Sequence, residues 1–139
     1  MTVYVRLKSI GKITKNVKKD IFFIENKPSS LRAFICECVR TCLKLHREKN
    51  KESSLRSPLS QIEYEEMKYI GKFAFGLNYN QNDISDEKAI KIAIDAFNDG
   101  LVRIFKADTE LCCLDEELDV SEGDEFTFVK LTMLSGRVW

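Results

Sequence analysis

Val3, Val5 and Leu7 alternate with Tyr4, Arg6 and Lys8 at the start of the chain. A period of two predicts a half-buried strand with the first set inward. Ser9-Ile10-Gly11-Lys12 breaks the alternation, and residues 12–19 read as an exposed basic hairpin loop. Asp20 to Glu25, with Ile21-Phe22-Phe23-Ile24 at its centre, reads as a second strand. Asn26-Lys27-Pro28 ends it, because proline cannot continue a central ladder.

The period then changes. Leu31, Phe34, Ile35, Cys38, Cys42 and Leu45 recur at helical spacing behind Ser29 and Ser30, either of which can cap. The spacing predicts a helix over about 30–47. Residues 47–57 are polar and read as a loop. Pro58 can open a short helix carrying Ile62, Met67 and Ile70. Lys72 to Leu77 reads as a short strand or extended segment, and 78–83 as turns. Ile84-Ser85-Asp86-Glu87 starts another helix: Ser85 can cap, Ile84 can staple onto Ala89, and two acids sit on the positive end of the dipole. Asp99-Gly100 ends it with a left-handed cap.

From residue 101 the reading is β. Residues 101–106 form a strand, 107–109 a turn and 110–113 a short strand. Residues 114–118 carry the chain round, and 121–124 form a tight turn. Residues 125–131 form a strand with Phe126, Phe128 and Lys130 on one face and Thr127, Val129 and Leu131 on the other. Apolar character on both faces predicts a central strand.

With 139 residues the chain makes one domain, 1–139, and its 44% hydrophobic content suits a globular protein. The longest aliphatic or aromatic run is Ile21 to Ile24, which predicts no membrane span. The net charge is zero but unevenly spread. Residues 1–60 hold 14 Lys/Arg and 5 Asp/Glu, a balance of +9; residues 61–139 hold 8 and 17, a balance of −9. Either the halves attract each other or solvate their own faces within one fold, or a basic patch meets an acidic partner or nucleic acid. Lys12, Lys15, Lys18 and Lys19 are the candidate basic patch. Zero net charge and the absence of an RNA-binding motif argue against nucleic acid. No secretory pattern precedes the five cysteines, so the expected compartment is a reducing cytoplasm.

The order of strand, strand, helix, inserted segment, strand, short strand and long strand resembles the ubiquitin-like β-grasp. Local patterns resemble its small sulfur carriers, the small subunit of molybdopterin synthase and the thiamine-pathway carrier. They are Val3-Tyr4-Val5-Arg6-Leu7, Ser30 to Ile35, Val102 to Asp108, and Leu114 to Leu118 followed by Glu122 to Phe128. The resemblance covers about 1–47 and 101–136. It implies an α+β fold, a β-grasp core with a mixed sheet and an inserted helical segment at about 48–100. The carriers end in Gly-Gly for adenylation of the terminal carboxylate. This chain has only Gly136, followed by Arg137, Val138 and Trp139.

Chemical constellations are sparse. Cys36, Cys38 and Cys42 with His46 concentrate soft ligands, but Cys38 and Cys42 lie within the apolar stripe, which favours core over zinc. Cys36 points away, near Arg32 and Arg40, as a reactive thiol would. His46 could pair with Cys112 or Cys113, yet no third orienting group is evident. Gly71 to Gly76 lacks Walker spacing. Asp115, Glu116, Glu117 and Asp119 carry no EF-hand pattern and read as a solvated loop. No metal, cofactor or catalytic residue is expected.

Three functions follow. The first is a non-catalytic protein-interaction module, recognising another protein through its sheet surface and C-terminal tail. Met133, Leu134, Gly136, Arg137 and Trp139 are the candidate contacts, tryptophan being enriched in hot spots. The second is a ubiquitin-like carrier or modifier trimmed to Gly136. The third is a thiol-dependent enzyme using Cys36 or Cys112. A homo-oligomer is compatible with each.

Overall fold

The computed structural model describes residues 1–9, 19–50, 61–77 and 85–130. Five strands and three helices follow one another as β1 (Thr2–Ser9), β2 (Lys19–Phe23), α1 (Leu31–Asn50), α2 (Gln61–Phe75), α3 (Asp86–Asn98), β3 (Val102–Lys106), β4 (Thr109–Leu111) and β5 (Glu125–Lys130). The fold is α+β, and the sheet is mixed, in the order β2-β1-β5-β3-β4. The first and last strands lie side by side and parallel at its centre, with Val5 opposite Phe126 and Leu7 opposite Phe128. β2 flanks β1 antiparallel, while β3 and β4 extend the sheet antiparallel beyond β5. The central position expected for β5 is the one observed.

Alternation sorts the side chains into two faces. Val3, Val5, Phe22, Ile104, Phe126 and Phe128 point inward and are fully buried. α1 and α2 cover that face. The Phe34 ring of α1 stacks on Phe126 at 4.4 Å and meets Phe128 edge-on at 6.3 Å, and Phe75 of α2 meets Phe128 edge-on at 5.4 Å. Offset and edge-to-face rings satisfy the aromatic quadrupole as well as the hydrophobic effect. α3 packs against α1 and α2, burying Ala89 and Ala93. Small residues there allow close helix approach.

The helix ends follow the sequence signals closely. The Ser30 Oγ accepts from the Ala33 N–H at 3.1 Å, and the Ser85 Oγ accepts from the Lys88 N–H at 3.1 Å. At the end of α3, Gly100 takes φ +78°; its N–H donates to the Phe97 carbonyl and that of Leu101 to Ala96. This pair of bonds around a left-handed glycine is a Schellman motif.

Three expectations are corrected. Residues 72–75 are not strand but the last turn of α2, which at 15 residues is longer than the short helix expected. Met67, Ile70, Gly71, Ala74 and Phe75 are buried along one stripe at helical spacing. That stripe outweighs the local alternation of Phe73 and Phe75. α1 runs to Asn50, beyond the expected end near 47. β4 stops at Leu111, leaving Cys112 and Cys113 outside the ladder.

Among the described residues, part of the charge asymmetry resolves within the fold. Arg6 pairs with Glu125 at 3.5 Å, Lys27 with Asp119 at 3.3 Å, Arg32 with Asp115 at 3.3 Å and Arg47 with Asp86 at 2.8 Å. Each joins the basic first half to the acidic second half. All are surface pairs and contribute modestly.

Candidate functional site: the outer face of the sheet

Among the described residues, no helix packs on the face opposite α1 and α2. Register defines its surface as rows running across the strands. One row runs Arg6, Thr127, Phe105, Glu110 from β1 through β5 and β3 to β4. The next places Val129 between Lys8 and Arg103. A third aligns Ile21, Tyr4 and Glu125. Phe23, paired with Thr2, is 39% exposed on the same side. Tyr4, Ile21, Phe105 and Thr127 are half-buried, whereas Lys8 and Arg103 are exposed.

The face therefore carries apolar and aromatic surface among cations. The charges differ in their partners. Arg6 is held by Glu125, but Lys8 and Arg103 have no ion-pair partner among the described residues. Val129 between them is only 8% exposed although it points outward.

Lys19 opens β2 opposite Arg6. Lys12, Lys15 and Lys18 lie outside the described residues, as do Met133, Leu134, Gly136, Arg137 and Trp139. Sequence reasoning placed Tyr4, Arg6 and Lys8 on one face but did not bring Arg103, Phe105 and Val129 beside them. The alternation of each strand and the central place of β5 are visible in the sequence; the register that sets Lys8 and Arg103 on either side of Val129 is not.

The remaining constellations behave as follows. Cys38 and Cys42 are buried in the core, and burial pushes the Cys38 thiol well above its ordinary pKa, with Cys42 adding to the effect. Such a thiol is a poor nucleophile and ligand. The Cys42 thiol donates to the Met67 carbonyl at 3.4 Å, a link between α1 and α2. Cys36 is half-buried, while Cys112 and Cys113 are exposed. Among the described residues, no group of three or more His, Cys, Asp or Glu side chains is placed to hold a metal ion. The acidic loop is partly neutralised, since Asp115 and Asp119 face Arg32 and Lys27.

An open cleft of about 540 Å³ lies between Lys27-Pro28-Ser29 and Glu117-Leu118-Asp119. The Leu118 N–H donates to the Ser29 carbonyl at 3.0 Å beneath it. Lys27, Glu117 and Asp119 are its charged lining residues, and Lys27 is paired with Asp119. No helix among the described residues is long and apolar enough to cross a membrane.

No protein-family model matches the chain, and no curated protein or solved structure matches it.

Proposed function

We propose that this protein is a non-catalytic interaction module built on a β-grasp core, and that it recognises another protein through the outer face of its sheet. The observation that carries the reading is the inequality of the two faces. Helices close the inner one, while Tyr4, Ile21, Phe23 and Phe105 lie among cations on the other. Aromatic residues with arginine are the composition enriched at protein interfaces. The β-grasp element of the reading is supported by the parallel central pair of first and last strands, an antiparallel strand on each side, and a long helix across one face.

On this reading the C-terminal tail, with Met133, Leu134 and Trp139, adds a second contact beyond β5, and the setting is the cytoplasm. The test is affinity capture of the tagged full chain from its own cells, with Phe105→Arg and Trp139→Ala compared with the unaltered protein. Loss of one and the same captured protein with Phe105→Arg, at unchanged melting temperature, is the expected result. Full retention of that protein by Phe105→Arg overturns the reading.

The carrier alternative makes a separate demand. An intact-mass spectrum of protein from the native cell must then contain a species ending at Gly136 or bearing a C-terminal adduct. A single unmodified mass ending at Trp139 removes it.

A further inference from the structure

The proposal above leaves the partner's chemistry open. The row formed by Lys8, Val129 and Arg103 narrows it. These residues stand on three neighbouring strands, β1, β5 and β3, at one level of the sheet. Adjacent strands lie about 4.8 Å apart, so the two cations rise about 10 Å from each other across an apolar valine. Both are exposed, and neither has an ion-pair partner among the described residues. Among the first-half cations whose side chains are described, the others, Arg6, Lys27, Arg32, Arg40, Lys44 and Arg47, are all paired. Lys8 and Arg103 thus stand as two cations of the outer face without an ion pair, one on either side of Val129, whereas Arg6 on that face is paired.

We infer that the outer face binds an acidic segment of its partner, whose carboxylate is held between Lys8 and Arg103 and whose apolar side chains lie on Phe105. This rests on the docking reading above and deepens it. Long cationic stems can lean over a central valine and converge on one anion, keeping their methylenes on apolar surface. Charge-assisted bonds from guanidinium and ammonium to carboxylate are the stronger class of hydrogen bond. The apolar and aromatic side chains Ile21, Tyr4, Phe23 and Phe105 on this face favour a protein over a nucleic acid. Glu125 and Glu110 border the same face and would repel a continuous phosphate chain, whereas a peptide can set apolar residues beside them. A second copy of this chain is a poorer fit, because Asp115 and Asp119 of its acidic loop already face Arg32 and Lys27.

The test titrates the isotope-labelled full chain with synthetic peptides of alternating Glu and Leu, Gln and Leu, or Lys and Leu, and with a short single-stranded oligonucleotide. Backbone amide shifts locate binding, and fluorescence anisotropy measures it. The expected result is selective binding of the Glu/Leu peptide, with shifts at 6–8, 103–105 and 127–129. Lys8→Glu and Arg103→Glu then each weaken it by about tenfold or more at unchanged melting temperature. Binding also falls with added salt. If either reversal lowers the melting temperature, Lys8→Gln and Arg103→Gln replace them and must still weaken binding.

Equal binding of the Gln/Leu peptide at the same amides overturns the acidic partner and leaves the docking face standing. Preferential binding of the oligonucleotide there overturns it in favour of a nucleic acid. Self-association that the two reversals abolish, in place of peptide binding, overturns it in favour of a second copy. Shifts from every probe confined to residues outside the outer face overturn both this inference and the reading on which it rests.

Discussion

The two faces of the sheet are made from the same strands, yet they differ in almost every physical property. Phe126 and Phe128 on the inner face are fully buried among rings of α1 and α2. One position along in the same strand, Thr127 and Val129 face outward between Arg6, Lys8, Arg103 and Phe105. Strand pairing serves both faces equally, so the difference lies in what covers them. The inner face holds the fold together. The outer face is freed by that stability to carry apolar and charged surface that folding does not require.

That contrast breaks most readily at Phe126. Replacing it with Ala removes the stacked contact with Phe34 and leaves a cavity in the core, which costs about 3–5 kcal/mol in urea unfolding. Phe105→Ala, on the opposite face, costs less than about 1 kcal/mol in the same measurement. Comparable losses at both sites would mean that the two faces are equally load-carrying, against the contrast drawn here. Gly100→Ala sharpens the picture within the helical layer. Its φ of +78° disfavours any side chain even though nothing lies within 4 Å of an added Cβ, so the cost is about 1–2 kcal/mol from backbone alone. Ser85→Ala removes the cap of α3 and costs about 1 kcal/mol, read from the thermal midpoint.

Proton linkage separates buried from exposed thiols. Cys38 keeps its proton in the fold above its ordinary pKa of 9.0, whereas the unfolded chain releases it near that value. Above it the unfolded state binds fewer protons, so stability falls as pH rises. Urea midpoints from pH 8 to 10 should therefore decline, and Cys38→Ala should flatten the decline. The smallest effect belongs to the charge seam. Arg32→Ala breaks the pair with Asp115, and both side chains are largely exposed. The cost is below about 1 kcal/mol and should fade in high salt.

Much of the fold was legible in local pattern. β1 alternates because one face is buried, and Ser85 and Gly100 sit where helix-end physics requires them. The end of α2 was misread because Lys72-Phe73-Ala74-Phe75 alternates over four residues, too short a window to distinguish a strand from a helix. Only the longer stripe from Met67 to Phe75 decides it. The candidate site was less legible. Lys8 and Arg103 are 95 positions apart, and only the strand order makes them neighbours across Val129. The tail residues singled out from the sequence, Met133 to Trp139, lie outside the described residues, so their contribution rests on the capture experiment.

The parallel seam between β1 and β5 also has a consequence for synthesis. Val5 pairs with Phe126, a residue 121 positions later. At ribosomal rates of about 5–20 residues per second, the first strand is made about 6–24 s before its central partner exists. During that interval Tyr4, Val5 and Leu7 lack the neighbour that completes their ladder. The β1–β2 pair and the helices can assemble earlier, but the sheet closes only after nearly the whole chain has emerged. Chains truncated before β5 should therefore depend on chaperones to remain dispersed.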